Sequence, residues 1–229
     1  MSALLVIISL TILYLSKKYL TTLLSRFIHR LGGGSRAAII VWSIIFLPGT
    51  IIHEVSHFLA AALTGARTGK IEIFPEYLED EVEEETHRTV ALGYVQTQRL
   101  NPIQGFLVGI APFISGLALL VLLASLMQTN LVSKNYTLLA VQGYLFFTIA
   151  NSFFPSWSDI KQTLTLIILA LIVAIVAWFF GFQILIDESS KIWGILDSLW
   201  MALSVSIILN LVILFLLFAL TRLLKKSNR

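Results

Sequence analysis

Cysteine is missing altogether from the 229 residues. Disulfides are therefore excluded, as is every thiolate metal site, and a metal ion would have to be held by His, Asp, Glu and water. Charge is the second scarcity: 13% of residues are Asp, Glu, Lys or Arg, against 57% hydrophobic, with a mean hydropathy of +0.88. Soluble domains carry about 25% charged residues, so the balance excludes one and indicates a polytopic membrane protein whose partner is the lipid bilayer. One polar stretch, Thr64 to Leu100, interrupts the apolar runs and leaves little mass for a separate soluble domain. The net charge of +3 comes partly from a tail, Arg222, Lys225, Lys226 and Arg229. A basic tail after an apolar run is a membrane-surface anchor, and no nucleic-acid binding is read into it.

The apolar residues sort into about six spans. Ser2 to Leu15 is short against the roughly 20 residues of a span. It reaches that length only by continuing through Lys17 and Lys18, whose stems can snorkel to the interface. It lacks a basic leading segment and a small-residue cleavage site, so a retained helix is expected rather than a signal peptide. Tyr19 to Leu31 mixes apolar residues with Arg26, His29 and Arg30 and is expected on the membrane surface, before a Gly32-Gly33-Gly34-Ser35 joint. Ala37 to Thr64, Ile103 to Met127, Thr137 to Phe154, Gln162 to Ile186 and Ile192 to Leu220 complete the set. The reading is an all-α polytopic membrane protein of about six transmembrane helices, with a small β-hairpin or sheet after the second. It divides into a first helix and joint at 1–36, a membrane core at 37–160 containing the polar loop at 65–100, and two C-terminal helices with a basic tail at 161–229.

Within the polar loop, Lys70 to Phe74 alternates cleanly and Thr89 to Thr97 is rich in strand formers, so both read as strands. Ile71, Ile73 and Val95 then mark an edge that could capture an extended chain by strand addition. The acidic run Glu79, Asp80, Glu81, Glu83, Glu84 and Glu85 reads as a solvated loop, with His87 exposed beside it.

The chemistry concentrates in His53-Glu54-Val55-Ser56-His57, inside the second span. Residues four apart stack on one helix face, so both imidazoles can share one metal ion. Glu54 stands where a metal-activated water needs a base. Charged groups at membrane depth cost about 2.5–3.5 kcal/mol each on insertion scales, and ionisable residues there are functional by default. The bland alternative is a histidine that hydrogen-bonds between helices. Pro48-Gly49, just before the motif, can kink the span.

A catalytic zinc commonly takes two His and one carboxylate plus water. Asp187, Glu188 and Asp197 cluster around the last loop, and the acidic run belongs to the polar stretch. Asp159, just past an apolar span and the Pro155 break, is the best candidate for third ligand. Its alternative role is to cap the following helix.

These residues together resemble a known family. His53-Glu54-x-x-His57, then Asn151 with Asp159 eight positions on, is similar to the site-2 proteases, membrane-embedded zinc enzymes that cut other proteins within or near the bilayer. Ala111-Pro112 and its small neighbours look like the family's third core helix, and Gly69 to Tyr94 looks like its strand-bearing loop. The likeness runs from about His53 to Asp159. It departs in Pro155, four rather than three residues after Asn151, in Ser158-Asp159-Ile160 for Leu-Asp-Gly, and in Val55-Ser56, where many members have a glycine before the second His. The resemblance implies one zinc per chain on His53, His57 and Asp159, with Glu54 as general base and membrane-protein or peptide substrates. It also implies that Asn151 bonds the substrate carbonyl or oxyanion; a polar bond between helices is the alternative. Two rivals belong to other classes. A zinc or other divalent-metal transporter would need more ligands along a path, and an inactive protease-fold scaffold would not need Glu54. The Lys and Arg residues split nine to seven between the two faces, too even to orient the chain; the resemblance puts the motif-proximal loop, and the active site, nearer the cytoplasm.

Overall fold

The computed structural model describes residues 2–72, 76–77, 90–91, 94–97, 100–182 and 191–227. Two helices come first, α1 (Ser2–Arg30) and α2 (Ser35–Leu63), followed by the short strands β1 (Thr68–Glu72), β2 (Glu76–Tyr77), β3 (Val90–Ala91) and β4 (Tyr94–Thr97). Four more helices follow: α3 (Pro102–Val132), α4 (Tyr136–Ser152), α5 (Trp157–Phe179) and α6 (Lys191–Ser227). All but α4, which has 17 residues, are long and apolar enough to cross a bilayer. Polar residues such as Ser16, Thr148, Asn151, Ser206 and Asn210 lie buried, while Ile44, Ile168, Val173 and Phe215 face outward. Apolar exposure on this scale is a lipid-facing surface. The chain is an all-α polytopic membrane protein.

Helix α1 buries Val6, Ser9, Leu13, Ser16, Leu20, Leu24 and Ile28, a stripe spaced by threes and fours. The stripe does not stop at Lys17 and Lys18. Leu20, Leu24 and Ile28 pack with Ala38, Trp42 and Phe46 of α2 and with Leu209, Ile213 and Leu217 of α6. Tyr19 to Leu31, expected as a separate surface segment, therefore prolongs the first helix. Gly32, at φ +88°, closes it, with the Gly33 N–H donating to Ile28 O at 3.0 Å.

Helix α3 starts on a capping box, Asn101 with Gln104, and its whole length is lined by one interrupted run made of α4 and then α5. Asn130 of α3 bonds Gln142 of α4, Gly116 faces Phe153, Gly109 faces Asp159 and Gly105 faces Gln162. Helices α4 and α5 thus follow each other antiparallel to α3. The break between them, Phe153 to Ser156, contains Pro155. Non-helical backbone at membrane depth is tolerated only where protein buries it or a polar cavity adjoins it. Helix α5 begins at Trp157, earlier than the Gln162 expected from hydropathy, because Ser156 and Asp159 form its capping box.

In the polar loop, β1 pairs antiparallel with β4, Ile71 opposite Val95, and β2 pairs with β3. Ile73, the acidic run and His87 lie outside the described residues.

At the bundle centre, Asn151 of α4 and Asn210 of α6 exchange two amide hydrogen bonds of 2.8 and 2.9 Å. The second N–H of Asn151 goes to Phe147 O at 2.8 Å, and that of Asn210 to Ser16 Oγ of α1 at 2.9 Å. All four amide N–H groups are paired, as a hydrocarbon setting demands. A double-mutant cycle with Asn151→Ala and Asn210→Ala, read by unfolding in detergent micelles, checks this pair. Each single variant should lose about 1–3 kcal/mol by stranding its partner. The double variant should lose less than the sum, with a coupling of about 0.6–1.7 kcal/mol. Additive losses would mean that the pair is not formed.

Candidate metal centre

The helical spacing of α2 carries His53 and His57 to one side, with ring centroids 4.9 Å apart. Each ring is held from behind by a backbone carbonyl of another helix. His57 Nδ1 lies 2.8 Å from Val108 O of α3, and His53 Nδ1 lies 2.9 Å from Ser152 O at the end of α4. A carbonyl oxygen only accepts, so each Nδ1 carries the proton and donates it. In a neutral ring, that leaves Nε2 as a bare lone pair.

The two Nε2 atoms face each other at 3.2 Å. Asp159, in the first turn of α5, completes the group. Its Oδ1 is 3.2 Å from His57 Nε2, and its Oδ2 is 3.6 Å from His53 Nε2. Bare lone pairs at such distances repel unless a proton or a metal cation stands among them. The donor set of two imidazoles and a carboxylate suits a borderline ion such as zinc better than Ca²⁺ or Mg²⁺, which take oxygen ligands. With Zn–N bonds of about 2.0–2.1 Å, the edge of a tetrahedral site is roughly 3.3 Å, close to the 3.2 Å separations. Among the described residues, this is the one group of three His, Asp or Glu side chains placed to hold a metal ion. The three side chains are only 7–11% exposed.

Asp159 caps its helix and faces the histidines at once. Ser156 is the N-cap itself, and it donates from both its backbone N–H and its hydroxyl to Asp159 Oδ2, each at 2.7 Å. These bonds fix the carboxylate, as ligating carboxylates are commonly fixed. Small residues bring the pieces together. A Cβ on Gly109 would sit 2.8 Å from Asp159 O and from Thr163 Cγ2, and one on Gly49 would press on the Thr148 carbonyl. Hence α3 can approach α5, and α2 can approach α4, only with glycine at these crossings. Ser56 adds a further tie, 2.6 Å to Ser115 of α3.

Glu54 is buried and follows His53 directly on α2. Its carboxylate makes no hydrogen bond or ion pair with the described residues. Asn151, which the family likeness made an oxyanion donor, stands one residue before the carbonyl that holds His53. Both of its N–H groups are engaged by Phe147 O and Asn210. The interhelical alternative describes this geometry, and no donor remains for a substrate. Asp197 is exposed on α6, and Asp187 and Glu188 lie outside the described residues. The carbonyls of Val108 and Ser152, and Ser156, had no place in the motif reading, whereas Gly109 belongs to the small-residue stretch beside Pro112 expected to allow close helix approach. Of these, Ser156-x-x-Asp159 was readable as a capping-box pattern.

Fold and site define a multi-pass membrane protein with a three-residue group that could hold a metal ion at the break between two helices. No protein-family model, curated protein or solved structure matches the chain, so its chemistry is argued from these residues alone.

Two substitutions check the site. His57→Ala should abolish metal binding in a competition titration with Zn²⁺. Ser156→Ala, which frees one side of Asp159, should weaken binding on the order of 10-fold or more. Unchanged affinity in Ser156→Ala would show that the capping bonds do not orient a ligand.

Proposed function

We propose that the protein is an intramembrane zinc endopeptidase of the site-2 protease kind, hydrolysing peptide bonds of membrane-protein substrates. The observation that carries this is the convergence of two imidazole Nε2 atoms and a carboxylate beside a buried Glu54. His53, His57 and Asp159 would hold one zinc ion, leaving a fourth position open, as catalytic rather than structural sites do. When bound, zinc supplies Lewis-acid polarisation of the scissile carbonyl and brings the pKa of a coordinated water to about 7.

The rest falls to the chain's own groups. Glu54 takes the proton of the attacking water and later passes it to the leaving amine. The Val108 and Ser152 carbonyls keep both imidazoles turned so that proton transfer and binding geometry stay fixed. Asn151 has no step in this scheme, because its amide is spent on the helix contact. A helical substrate segment must unwind before cleavage, since its carbonyls are occupied in the helix. The β1–β4 pair, which follows α2 after a short turn, is the surface that would receive it. Ile71 and Val95 lie opposite each other there, and strand addition to this pair is the means of capture. This loop, and the metal group near the same end of α2, would face the cytoplasm.

The test uses the purified protein in vesicles with a panel of single-span membrane segments. Glu54→Gln should keep its zinc and lose cleavage by about 10²–10⁴-fold. Asp159→Ala should lose both. Full zinc occupancy in Asp159→Ala would remove the third ligand, and zinc flux without any cleavage would replace the protease reading with a transporter.

A further inference from the structure

We propose that Pro112 is a positioning residue of the metal centre: bringing no N–H to its helix, it releases the Val108 carbonyl to hold His57. The inference rests on the metal reading above. In a regular helix the carbonyl of residue i accepts from the N–H of residue i+4. Position 112 is four beyond Val108, and its proline lies inside α3 rather than at an end. The pyrrolidine ring offers no donor and crowds the carbonyl four residues back. A carbonyl freed in hydrocarbon must find another partner. Val108 O finds one outside its own helix, the His57 Nδ1–H at 2.8 Å. Val108 and Pro112 are both buried, so water is not at hand to take that place.

The other histidine obeys the same rule by a different route. Ser152 ends α4, and its carbonyl would look three or four residues ahead for a donor. Three ahead is Pro155, without an N–H, and four ahead is Ser156, whose N–H goes to Asp159 Oδ2 at 2.7 Å. Ser152 O therefore turns to His53 Nδ1, 2.9 Å away. Each imidazole is oriented by a carbonyl that a proline has helped to leave open. Restoring an N–H at position 112 would draw the Val108 carbonyl back along its helix. His57 would then lose the partner that keeps its proton on Nδ1 and its Nε2 lone pair aimed at the ion.

The experiment compares the full-length wild type with two variants in detergent. Pro112→Ala restores the backbone N–H. Pro112→lactate, an ester in the chain, carries alanine's side chain without any N–H. Zinc affinity is measured by chelator competition, and the proton position on His57 by nitrogen NMR of the metal-free protein. Pro112→Ala should bind zinc on the order of 10–100-fold more weakly and spread the His57 proton over both nitrogens. Pro112→lactate should keep wild-type affinity and a proton on Nδ1. Wild-type behaviour of Pro112→Ala, or equal weakness of both variants, would overturn the assignment, the latter because the kink rather than the missing N–H would matter. Should Pro112→Ala not fold, Pro112→Gly, which also restores the N–H, takes its place with the same two outcomes. A wild type that binds no zinc but shows the tautomer difference would end the metal reading and leave Pro112 its role.

Discussion

Two imidazoles turned toward one point beside a buried carboxylate set the constraint from which the remaining features follow. Their protons are already spent on the far side, where Val108 O and Ser152 O accept from the two Nδ1 atoms. A proton or a metal cation resolves the repulsion, and burial among apolar helices makes that need stronger than it would be in water. The surrounding structure serves this point. Helix α4 stops early, α5 starts on a capping box, and glycines let α2 and α3 come within backbone contact of that break.

Separate kinds of polar group in the bundle do separate work. The Asn151–Asn210 pair, with Ser16, is closed: every amide N–H has a partner, and the cluster ties α1, α4 and α6 together. The His–His–Asp group is arranged differently: its two Nε2 atoms and a carboxylate oxygen face one another, where a metal ion could be held. Glu54 is a third kind, buried beside that group without a bond to the described residues.

Much of this was legible in the residues. The spacing of His53 and His57 placed them on one face, and Pro155 marked the end of the span that leads to Asp159. Hydropathy found the helices. It could not find the continuity of α1, because Lys17 and Lys18 look like an interface while the buried stripe of Leu13, Ser16, Leu20 and Leu24 runs past them. Nor could it separate Asn151 as ligand-binder from Asn151 as helix tie, since the choice depends on Asn210, 59 residues away. The carbonyls that turn the histidines have no side-chain signature at all. Only the prolines that leave them open are visible in the sequence, at Pro112 and Pro155.

The central claim is that these three side chains hold a zinc ion, and X-ray absorption at the zinc edge of the purified protein addresses it most directly. The expected result is one zinc per chain, with two imidazole nitrogens and a carboxylate oxygen in its first shell at about 2.0–2.2 Å. Protein prepared with zinc present that retains none, or zinc whose shell contains no histidine, would contradict it.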